Sequence, residues 1–207
     1  MPTVQLIRVS VNDAFTADPS LFDKLREGAT KAGIVNQSFG FGVEEPTQLY
    51  WILHFDQGFE PTESVWPTNE YGDFTEGLMG ISTEVAKTLL PFESFSVETI
   101  KAPLTDITIF TLKDGAKIEE FKSVIDPFRA GFASEVPTSW AVNSFNDREV
   151  FLFVGWDSVE THAEFNGTPE FLKYKTDMSE FMAAPPKMRH VKLADHLTSP
   201  IRNHSSF

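Results

Sequence analysis

The sequence contains no cysteine in its 207 residues. This absence excludes disulfide bonds, zinc–thiolate sites, iron–sulfur clusters and a thiol nucleophile. Basic residues are also few, with 17 Lys and Arg against 30 Asp and Glu and a formal net charge of −13. A nucleic-acid surface needs clustered Lys and Arg, and the chain has no run of three basic residues. We therefore expect no nucleic-acid partner.

Long apolar runs and the familiar cofactor motifs are missing as well. No window approaches the roughly 18 apolar residues of a membrane span, and residues 1–8 lack the basic start of a signal peptide. We therefore expect a soluble, cytoplasmic protein with no membrane partner. The chain has no P-loop, dinucleotide fingerprint, nucleophile elbow or zinc-protease motif. Because no spaced cluster of His and carboxylates occurs either, we predict neither a cofactor nor a metal.

Aromatic residues, by contrast, are abundant: 20 Phe, 4 Trp and 3 Tyr make up 13% of the chain. Side chains of this kind supply large buried areas to small cores. They can also line a pocket for a flat organic ligand. The composition thus agrees with a globular protein that binds a small molecule.

The chain repeats itself. Residues 2–14 lie over residues 104–116 without a gap, and residues 50–57 lie over residues 151–158. Both matches read as apolar strands, and the spacing between the copies is nearly constant. We interpret this as a duplicated unit, with chance resemblance of apolar strands as the alternative.

Each copy is predicted to have the element order βαββαβ from its hydrophobic periodicity and turn residues. In the first copy the predicted elements are strand 3–11, a helix from Pro19 ended by Gly33, strands 34–43 and 49–55, helix 82–90 and strand 95–101.

In the second copy Pro127 is expected to break the first helix, and Thr168 and Pro169 are expected to begin another. The predicted elements are strand 105–112, a helix from Ala116, strands 138–145 and 149–156, a helix from Ser158 and strand 188–193.

A βαββαβ unit is the ferredoxin-like arrangement, whose antiparallel sheet is covered by helices on one face only. Two copies can bury the bare faces of their sheets against each other. We therefore predict an α+β protein of two tandem ferredoxin-like units, residues 1–102 and 103–207, packed sheet to sheet. Residues 2–102 and 103–196 should superpose, and the polar tail after them should be loose.

Residues 154–165, Val-Gly-Trp-Asp-Ser-Val-Glu-Thr-His-Ala-Glu-Phe, carry a family resemblance. This segment resembles the strand-to-helix signature of the dimeric α+β barrel superfamily, in its antibiotic-biosynthesis-monooxygenase-like and stress-responsive branches. The resemblance implies a barrel of two units around a cavity, here formed within one tandem chain. It also implies one of several activities: cofactor-free oxygenation of aromatic polyketides, polyketide cyclisation, haem degradation, isomerisation, or a stress response without settled chemistry.

The residues that these branches use are matched only in part. Trp156 fits the strand Trp of the oxygenase branch, but position 152 is Leu where that branch has Asn. The first-strand His of the cyclase branch is replaced by Leu6 and Thr108, and Asn166 stands where haem degraders have an axial His. The resemblance therefore leaves the specific activity open.

Strand alternation selects residues for the predicted cavity, because side chains two apart share a face. Ile7, Val9 and Val11, with counterparts Ile107, Ile109 and Thr111, form the faces suited to the helices. The cavity would then receive Leu6, Arg8 and Ser10, with Thr108, Phe110 and Leu112. Arg8 could stabilise a carboxylate, phenolate or enolate. Its alternative role is a structural salt bridge, for example with Glu98.

A cavity imidazole is the best candidate for a general base near neutral pH. His190 is the first choice, because Val191 and Leu193 suit the helix face and leave His190 and Met188 for the cavity. His54 is the second, although its strand is apolar on both faces. His162 is expected at the surface or in helix packing, and His196 and His204 in the exposed tail. A structural, hydrogen-bonded role is the alternative for His190 and His54.

Polar and aromatic residues of the hairpin strands are candidates for substrate binding, with core packing as the alternative. They are Tyr50, Trp51, Trp140, Asn143 and Trp156, together with Gln37. The polar stretch 56–75 contains Trp66 and Tyr71 and has no evident counterpart in the second copy. Insertions of this kind are often lids or interaction loops, so we expect it to cover a barrel mouth or to contact another subunit.

Two functions agree with these features. The first is a cofactor-independent enzyme that acts on a small apolar or aromatic, polyketide-like metabolite by proton abstraction, followed by cyclisation, rearrangement or oxygenation. The second is a non-catalytic ligand-binding or stress-response barrel. A small-molecule partner is expected in both, and a homodimer is compatible with either.

Overall fold

The computed structural model describes residues 1–132 and 136–195. Within those residues the strands are β1 (Thr3–Val11), β2 (Gln37–Phe41), β3 (Gln48–Phe55), β4 (Ser82–Pro91), β5 (Leu104–Thr111), β6 (Thr138–Asn143), β7 (Asn146–Trp156), β8 (Lys187–Val191) and β9 (Ala194–Asp195). The helices are α1 (Asp13–Ala17), α2 (Ser20–Lys31), α3 (Thr62–Val65), α4 (Thr68–Tyr71), α5 (Phe74–Gly80), α6 (Val97–Lys101), α7 (Ile118–Phe132), α8 (Val159–Asn166) and α9 (Pro169–Ser179).

Two antiparallel sheets follow the two halves of the chain. The first has the strand order β4-β1-β3-β2-β9, and the second has the order β6-β7-β5-β8. In both sheets the first and last strands of a βαββαβ unit lie side by side, as they do in ferredoxin-like units. The chain therefore has the predicted α+β fold of two ferredoxin-like units. The loop before β5 lies at the boundary expected at residues 102 and 103, which we retain as a proposal.

The two sheets are joined along both of their edges. On one side β9 pairs with β2 of the first sheet, and Gly42 bridges to Val191. This edge is so close that a Cβ on Gly40 would lie 2.0 Å from the backbone oxygen of Lys192. On the other side the backbone N–H of Ser144 donates to the carbonyl of Leu89 at 2.9 Å. The barrel is thus formed inside one chain.

The space between the sheets is a filled apolar core. It contains side chains from both units, so burying it holds the two sheets together. The buried members are Val4, Leu6, Tyr50, Ile52, Leu90, Phe92, Ile100, Ile107, Ile109, Ala141, Phe151, Phe153 and Val191.

A second core lies between the first sheet and its helices, and aromatic rings fill it. Trp51 is fully buried and packs edge-on against Phe22 with ring centroids 5.1 Å apart. Phe74 contacts both Trp51 and Trp66, at centroid distances of 6.2 and 4.8 Å. The third core lies between the second sheet and α7, α8 and α9, and it encloses a cavity.

The stretch 56–75, expected to be a lid or an interaction loop, belongs to the body of the first unit. It holds α3, α4 and the start of α5, which cover the first sheet where α8 and α9 cover the second. Trp66 is 7% exposed and lies against Gly28 of α2. The lid prediction is therefore wrong, because the segment covers the helix side of its own sheet.

The next two elements also differ from the prediction, because the predicted helix is a strand and the predicted strand contains a short helix. Residues 82–91 form β4 along the full length of β1, and residues 97–101 form the short helix α6. The helix prediction for 82–90 is wrong because the pairing with β1 outweighs the local helical pattern. Pro127 does not break its helix either, because it lies inside a continuous α7 whose Ile125 and Phe128 are buried.

The facing predicted for β1 is correct, but the facing predicted for β5 is reversed. Ile7 and Val9 face the helices of the first unit, and Leu6 lies between the sheets. In β5, however, Ile107 and Ile109 lie between the sheets, and Phe110 faces the helices. The ungapped repeat aligned the two strands one residue out of phase, and such a slip reverses every side chain.

Helix ends agree better with the sequence. The predicted helix from Pro19 is α2, and Gly33 follows it with φ of 87°. Thr168 caps α9 and accepts a hydrogen bond from the backbone N–H of Phe171. His196, His204 and the rest of the predicted tail lie outside the described residues.

Candidate functional site

A cavity of about 160 Å³ lies in the second unit, between its sheet and its helices. An apolar cavity of about 150 Å³ is large enough to hold benzene, so this cavity fits one six-membered ring. Its lining residues are Asp106, Thr108, Phe110, Phe128, Leu152, Val154, Trp156, His162, Phe165, Asn166, Phe171, Tyr174, Lys175, Met178, Met182, Pro186 and Met188.

The sharp connection from β7 to α8 builds one wall of the cavity. Trp156 ends the strand, and Ser158 caps the helix by accepting a hydrogen bond from the backbone N–H of Thr161 at 3.2 Å. Because only Asp157 and Ser158 intervene, the first turn of α8 returns His162 over Trp156. The two rings are stacked, with centroids 4.6 Å apart and an interplanar angle of 12°.

Asp106 is a carboxyl group buried at the polar end of the cavity. It is 2% exposed, and the hydroxyl of Thr108 donates to its two oxygens at 3.2 and 3.0 Å. Burial raises the pKa of Asp106 to about 7; the hydrogen bonds from Thr108 and the Arg189 backbone oppose this rise, and the charge of Glu44 adds to it. A carboxyl with such a pKa can accept or donate a proton near neutral pH.

His162 lies directly above Asp106. Its Nε2 is 4.0 Å from Oδ2 of Asp106, and the residue is 4% exposed. Burial lowers the pKa of His162 to about 4 and the charge of His190 lowers it further, whereas the side-chain interaction with Asn166 and the charge of Glu44 oppose this shift. His162 is therefore a neutral imidazole near pH 7.

His190 links this pair to the other unit of the barrel. Its Nε2 lies 2.7 Å from Nδ1 of His162, and its Nδ1 contacts a carboxylate oxygen of Glu44. Glu44 is in the β2–β3 hairpin of the first unit, and its second oxygen accepts from the backbone N–H of His190 at 3.1 Å. Burial is the largest single influence on the pKa of Glu44 and raises it. The hydrogen bonds and the charge of His190 are among the influences that together outweigh burial, so the pKa of Glu44 is lowered.

Two polar atoms at the cavity wall have no hydrogen-bond partner. They are the indole N–H of Trp156 and Oδ1 of Asn166, both buried. Because an unpaired buried polar group is costly, a ligand oxygen that accepted from the indole N–H would be favoured, whereas Asn166 also interacts with the side chain of His162. Most of the remaining wall is apolar and favours a ring or a short hydrocarbon.

Of the predicted site residues, the structure brings His190 and Trp156 together, through His162. The predicted facing of His190 and Met188 is reversed, since Val191 lies in the core between the sheets. His190 and Met188 therefore face the helices. They still reach a cavity, because the open space is on the helix side of the second sheet.

Arg8 and Tyr50 form a separate pair on the inter-sheet face of the first sheet. They are opposite each other on β1 and β3, and Nε of Arg8 is buried without a hydrogen bond. Burial raises the pKa of Tyr50 to about 12, and the charge of Glu45 adds to this effect. Glu98, the suggested partner of Arg8, pairs with Lys101.

His54 lies away from both groups, on the inter-sheet face of β3. Its ring packs on Phe95 with centroids 4.9 Å apart, and its Nε2 is 3.5 Å from Oδ1 of Asp56. Burial lowers the pKa of His54, and Asp56 opposes this shift.

The other predicted binding residues contact protein groups. Trp51 donates its indole N–H to Gln37 at 3.1 Å inside the first unit, and Trp140 donates to Asp126 at 2.9 Å. Asn143 holds the β6–β7 turn by donating to Glu149 at 2.9 Å. These contacts agree with the core-packing and structural alternatives.

Sequence reasoning missed Asp106, Glu44 and the place of His162. Asp106 had a recognisable signal, because it is a lone carboxylate in the otherwise uncharged strand Leu104–Thr111. His162 lies within the segment that carries the family resemblance. Glu44 gave no local signal, since its role depends on contact between the two units.

Among residues 1–132 and 136–195, no group of three or more His, Asp and Glu side chains is arranged to hold a metal ion. In the same residues no helix is both long and apolar enough to cross a membrane.

No family model and no curated protein matches the chain. Solved structures do match it along nearly its whole length. A candidate monooxygenase from Lactobacillus acidophilus NCFM has a TM-score of 0.66 at 14% identity, with 94% of this chain and 96% of that chain covered. A candidate monooxygenase from Fusobacterium nucleatum subsp. nucleatum has a TM-score of 0.66 at 16% identity, with 93% and 92% covered.

An anthrone oxidase-like protein matches with a TM-score of 0.63 at 14% identity, covering 93% of this chain and 91% of that chain. At such identities the likeness concerns the fold, and it extends over both units. The chain thus has the tandem α+β barrel fold of these monooxygenase-like proteins, as the resemblance in residues 154–165 implies.

Proposed function

We propose that the protein is an oxygenase-type enzyme for a compact, largely apolar molecule bound in the cavity of the second unit. Its first chemical step is removal of a proton from the ligand by Asp106. The observation that carries the proposal is a buried carboxyl group at the polar end of an otherwise apolar cavity. The names of the structural neighbours support the oxygenase class, and the chemistry of the cavity supports the proton abstraction.

The volume of the cavity narrows the substrate class. A space of about 160 Å³ accommodates one ring rather than the several fused rings of an aromatic polyketide. The unpaired indole N–H of Trp156 can donate to a ligand oxygen that becomes negatively charged. We therefore favour a single-ring phenol or cyclic diketone with an acidic hydrogen.

The proposed reaction balances with dioxygen as the co-reactant. Asp106 takes a proton from an activated CH₂ group and leaves a carbanion conjugated as an enolate. Dioxygen accepts electrons from that carbon, and the resulting peroxide anion takes up a proton from solvent to give a hydroperoxide. Loss of water then gives a carbonyl, so CH₂ and O₂ become C=O and H₂O. Rearrangement or cyclisation would share only the first step.

Hydrogen–deuterium exchange in D₂O tests this first step. We would follow exchange of carbon-bound hydrogens by NMR, at the CH₂ groups of 1,3-cyclohexanedione and on the rings of dihydroxybenzenes, and oxygen uptake with an electrode. The wild-type protein should accelerate exchange of at least one compound. Asp106→Asn should reduce that acceleration by about 100- to 10,000-fold, the usual contribution of a general base.

Asp177→Asn is the matched control, because Asp177 is on the surface of α9 in an ion pair with Lys173. It should retain full exchange. Equal exchange by the wild type and a folded Asp106→Asn variant would overturn the proposal. The largely apolar lining of the cavity favours a second candidate, a barrel that only binds ligand, which predicts binding of these compounds without accelerated exchange.

A further inference from the structure

A chain of four side chains leads from the cavity of the second unit to the surface of the first. The order is Asp106, His162, His190 and Glu44. Their side-chain exposures rise along the chain, at 3%, 5%, 12% and 44%. The chain thus connects a buried carboxyl group with solvent.

The contacts allow an arrangement of the imidazole protons in which a proton can pass from Asp106 towards Glu44. The carboxylate of Glu44 can only accept, so Nδ1 of His190 must carry a proton. When His190 is neutral its Nε2 is bare, and this atom accepts a hydrogen bond from Nδ1 of His162 across 2.7 Å. Nε2 of His162 is left as an acceptor, and this atom is the one that points to Asp106.

We propose that Glu44 and His190 form a proton relay, through His162, that returns Asp106 to its basic state after each reaction. The proposal rests on the proposed function, because it assumes that Asp106 receives the substrate proton. Glu44 and His190 are positioning residues in it, since neither touches the ligand. The first unit therefore takes part in the chemistry of the second.

One proton crosses the relay in each cycle. Protonated Asp106 gives its proton to Nε2 of His162, and His162 gives its Nδ1 proton to Nε2 of His190. The product is an Asp106 carboxylate, a neutral His162 with its proton moved to Nε2, and a His190 imidazolium paired with Glu44. His190 then loses a proton to solvent, and reversal of the two tautomers restores the start.

The gap between His162 and Asp106 is the one step that needs help. At 4.0 Å it exceeds a hydrogen bond, so a water molecule or a polar ligand atom would bridge it. The other charged or titratable groups that face the relay are Arg189 of β8 through its backbone, and Lys175 and Tyr174 of α9 across the cavity.

The test reads the imidazole protons directly by NMR of protein labelled with ¹⁵N-histidine. At pH 8 the wild type should show His162 and His190 each protonated at Nδ1 and bare at Nε2. Glu44→Gln should change the ring-nitrogen signals of both residues, although Glu44 does not contact His162. Glu45→Gln is the matched control, because the adjacent Glu45 pairs with Arg189 instead, and it should change neither imidazole.

Rates of oxygen uptake provide the second test of the relay. Glu44→Gln and His190→Gln should slow turnover-dependent oxygen uptake by about 10-fold or more, because Asp106 must then discharge without the relay. A single deuterium-exchange event should be less affected than repeated turnover. Glu45→Gln should match the wild type in both.

Two outcomes separate the relay from the proposed function. If His162 is protonated at Nε2 in the wild type, or if Glu44→Gln leaves its signals unchanged, the relay is overturned while Asp106 still stands as the base. If a folded Asp106→Asn retains exchange, the proposed function fails and the relay fails with it.

Discussion

At the residue scale, two buried groups in contact with one cavity have pKa values shifted in opposite directions. The pKa of Asp106 is raised to about 7, and the pKa of His162 is lowered to about 4. Both shifts arise mainly from burial, because a low-dielectric environment disfavours the charged form of an acid and of a base alike. Near pH 6 this end of the cavity therefore contains two neutral groups, poised to exchange a proton with a ligand.

These shifts predict opposing effects of pH on stability. The folded state holds the Asp106 proton up to about pH 7 and the unfolded state only to about 4, so this group lowers the free energy of unfolding as pH rises between them. His162 increases the free energy of unfolding as pH rises from about 4 to 6.5, because only the unfolded state binds its proton in that range. In the wild type the two contributions oppose each other.

Removing either group should leave the pH dependence of stability that the other group causes. Relative to the wild type, Asp106→Asn should gain stability as pH rises from 4.5 to 6.5, and His162→Gln should lose it, by up to about 1.4 kcal/mol per pH unit. Urea unfolding at three pH values measures both slopes. If the two variants show pH profiles parallel to that of the wild type, the assigned ionisation states are wrong.

The sequence predicted part of this site and could not predict the rest. Trp156 and His190 were chosen from strand position, and they do meet at His162. The cavity was expected between the sheets, because the family resemblance implies a barrel around a cavity, and the ungapped repeat gave β5 the wrong phase. Glu44 depends on a hairpin of one unit touching a strand of the other, and no local pattern encodes such a contact.

At the element scale, the helices of the first unit are the least predictable part. α3, α4 and α5 have 4, 4 and 7 residues, too few for a clear helical period. Their position is fixed instead by aromatic packing. Trp66 lies against α2 where Gly28 leaves room, and its indole N–H donates to the carbonyl of Gly72 at 2.9 Å.

Gly28→Ala therefore tests this packing. Alanine would ordinarily stabilise a helix interior by about 1 kcal/mol over glycine, but its Cβ would lie 2.3 Å from the Trp66 ring. Overpacking of a core costs about 1–3 kcal/mol, so we expect the variant to be less stable than the wild type in urea. Gly80→Ala, with nothing within 4 Å of its Cβ, should be neutral or more stable. Equal stabilisation in both would contradict the packing.

At the scale of the whole molecule, the two units have the same topology and different interiors. The first fills the space between sheet and helices with Trp51, Phe22 and Phe74, and the second keeps a cavity in the corresponding place. The duplicated order of elements was readable from the sequence because strand and turn patterns repeat. The difference between the two interiors was not readable from the sequence, because both units have many aromatic residues. Only the packing of the rings shows which unit keeps a cavity.

The central claim is that the cavity of the second unit binds a single-ring ligand, and the five methionines allow a direct test. Met178, Met182 and Met188 line the cavity, whereas Met1 and Met79 are exposed and are not among its lining residues. We would titrate protein labelled with ¹³C at the methionine methyl groups with phenol. The three cavity methyl signals should shift and saturate together while the other two stay in place. Saturable binding of phenol that leaves the three cavity signals unmoved would contradict the account.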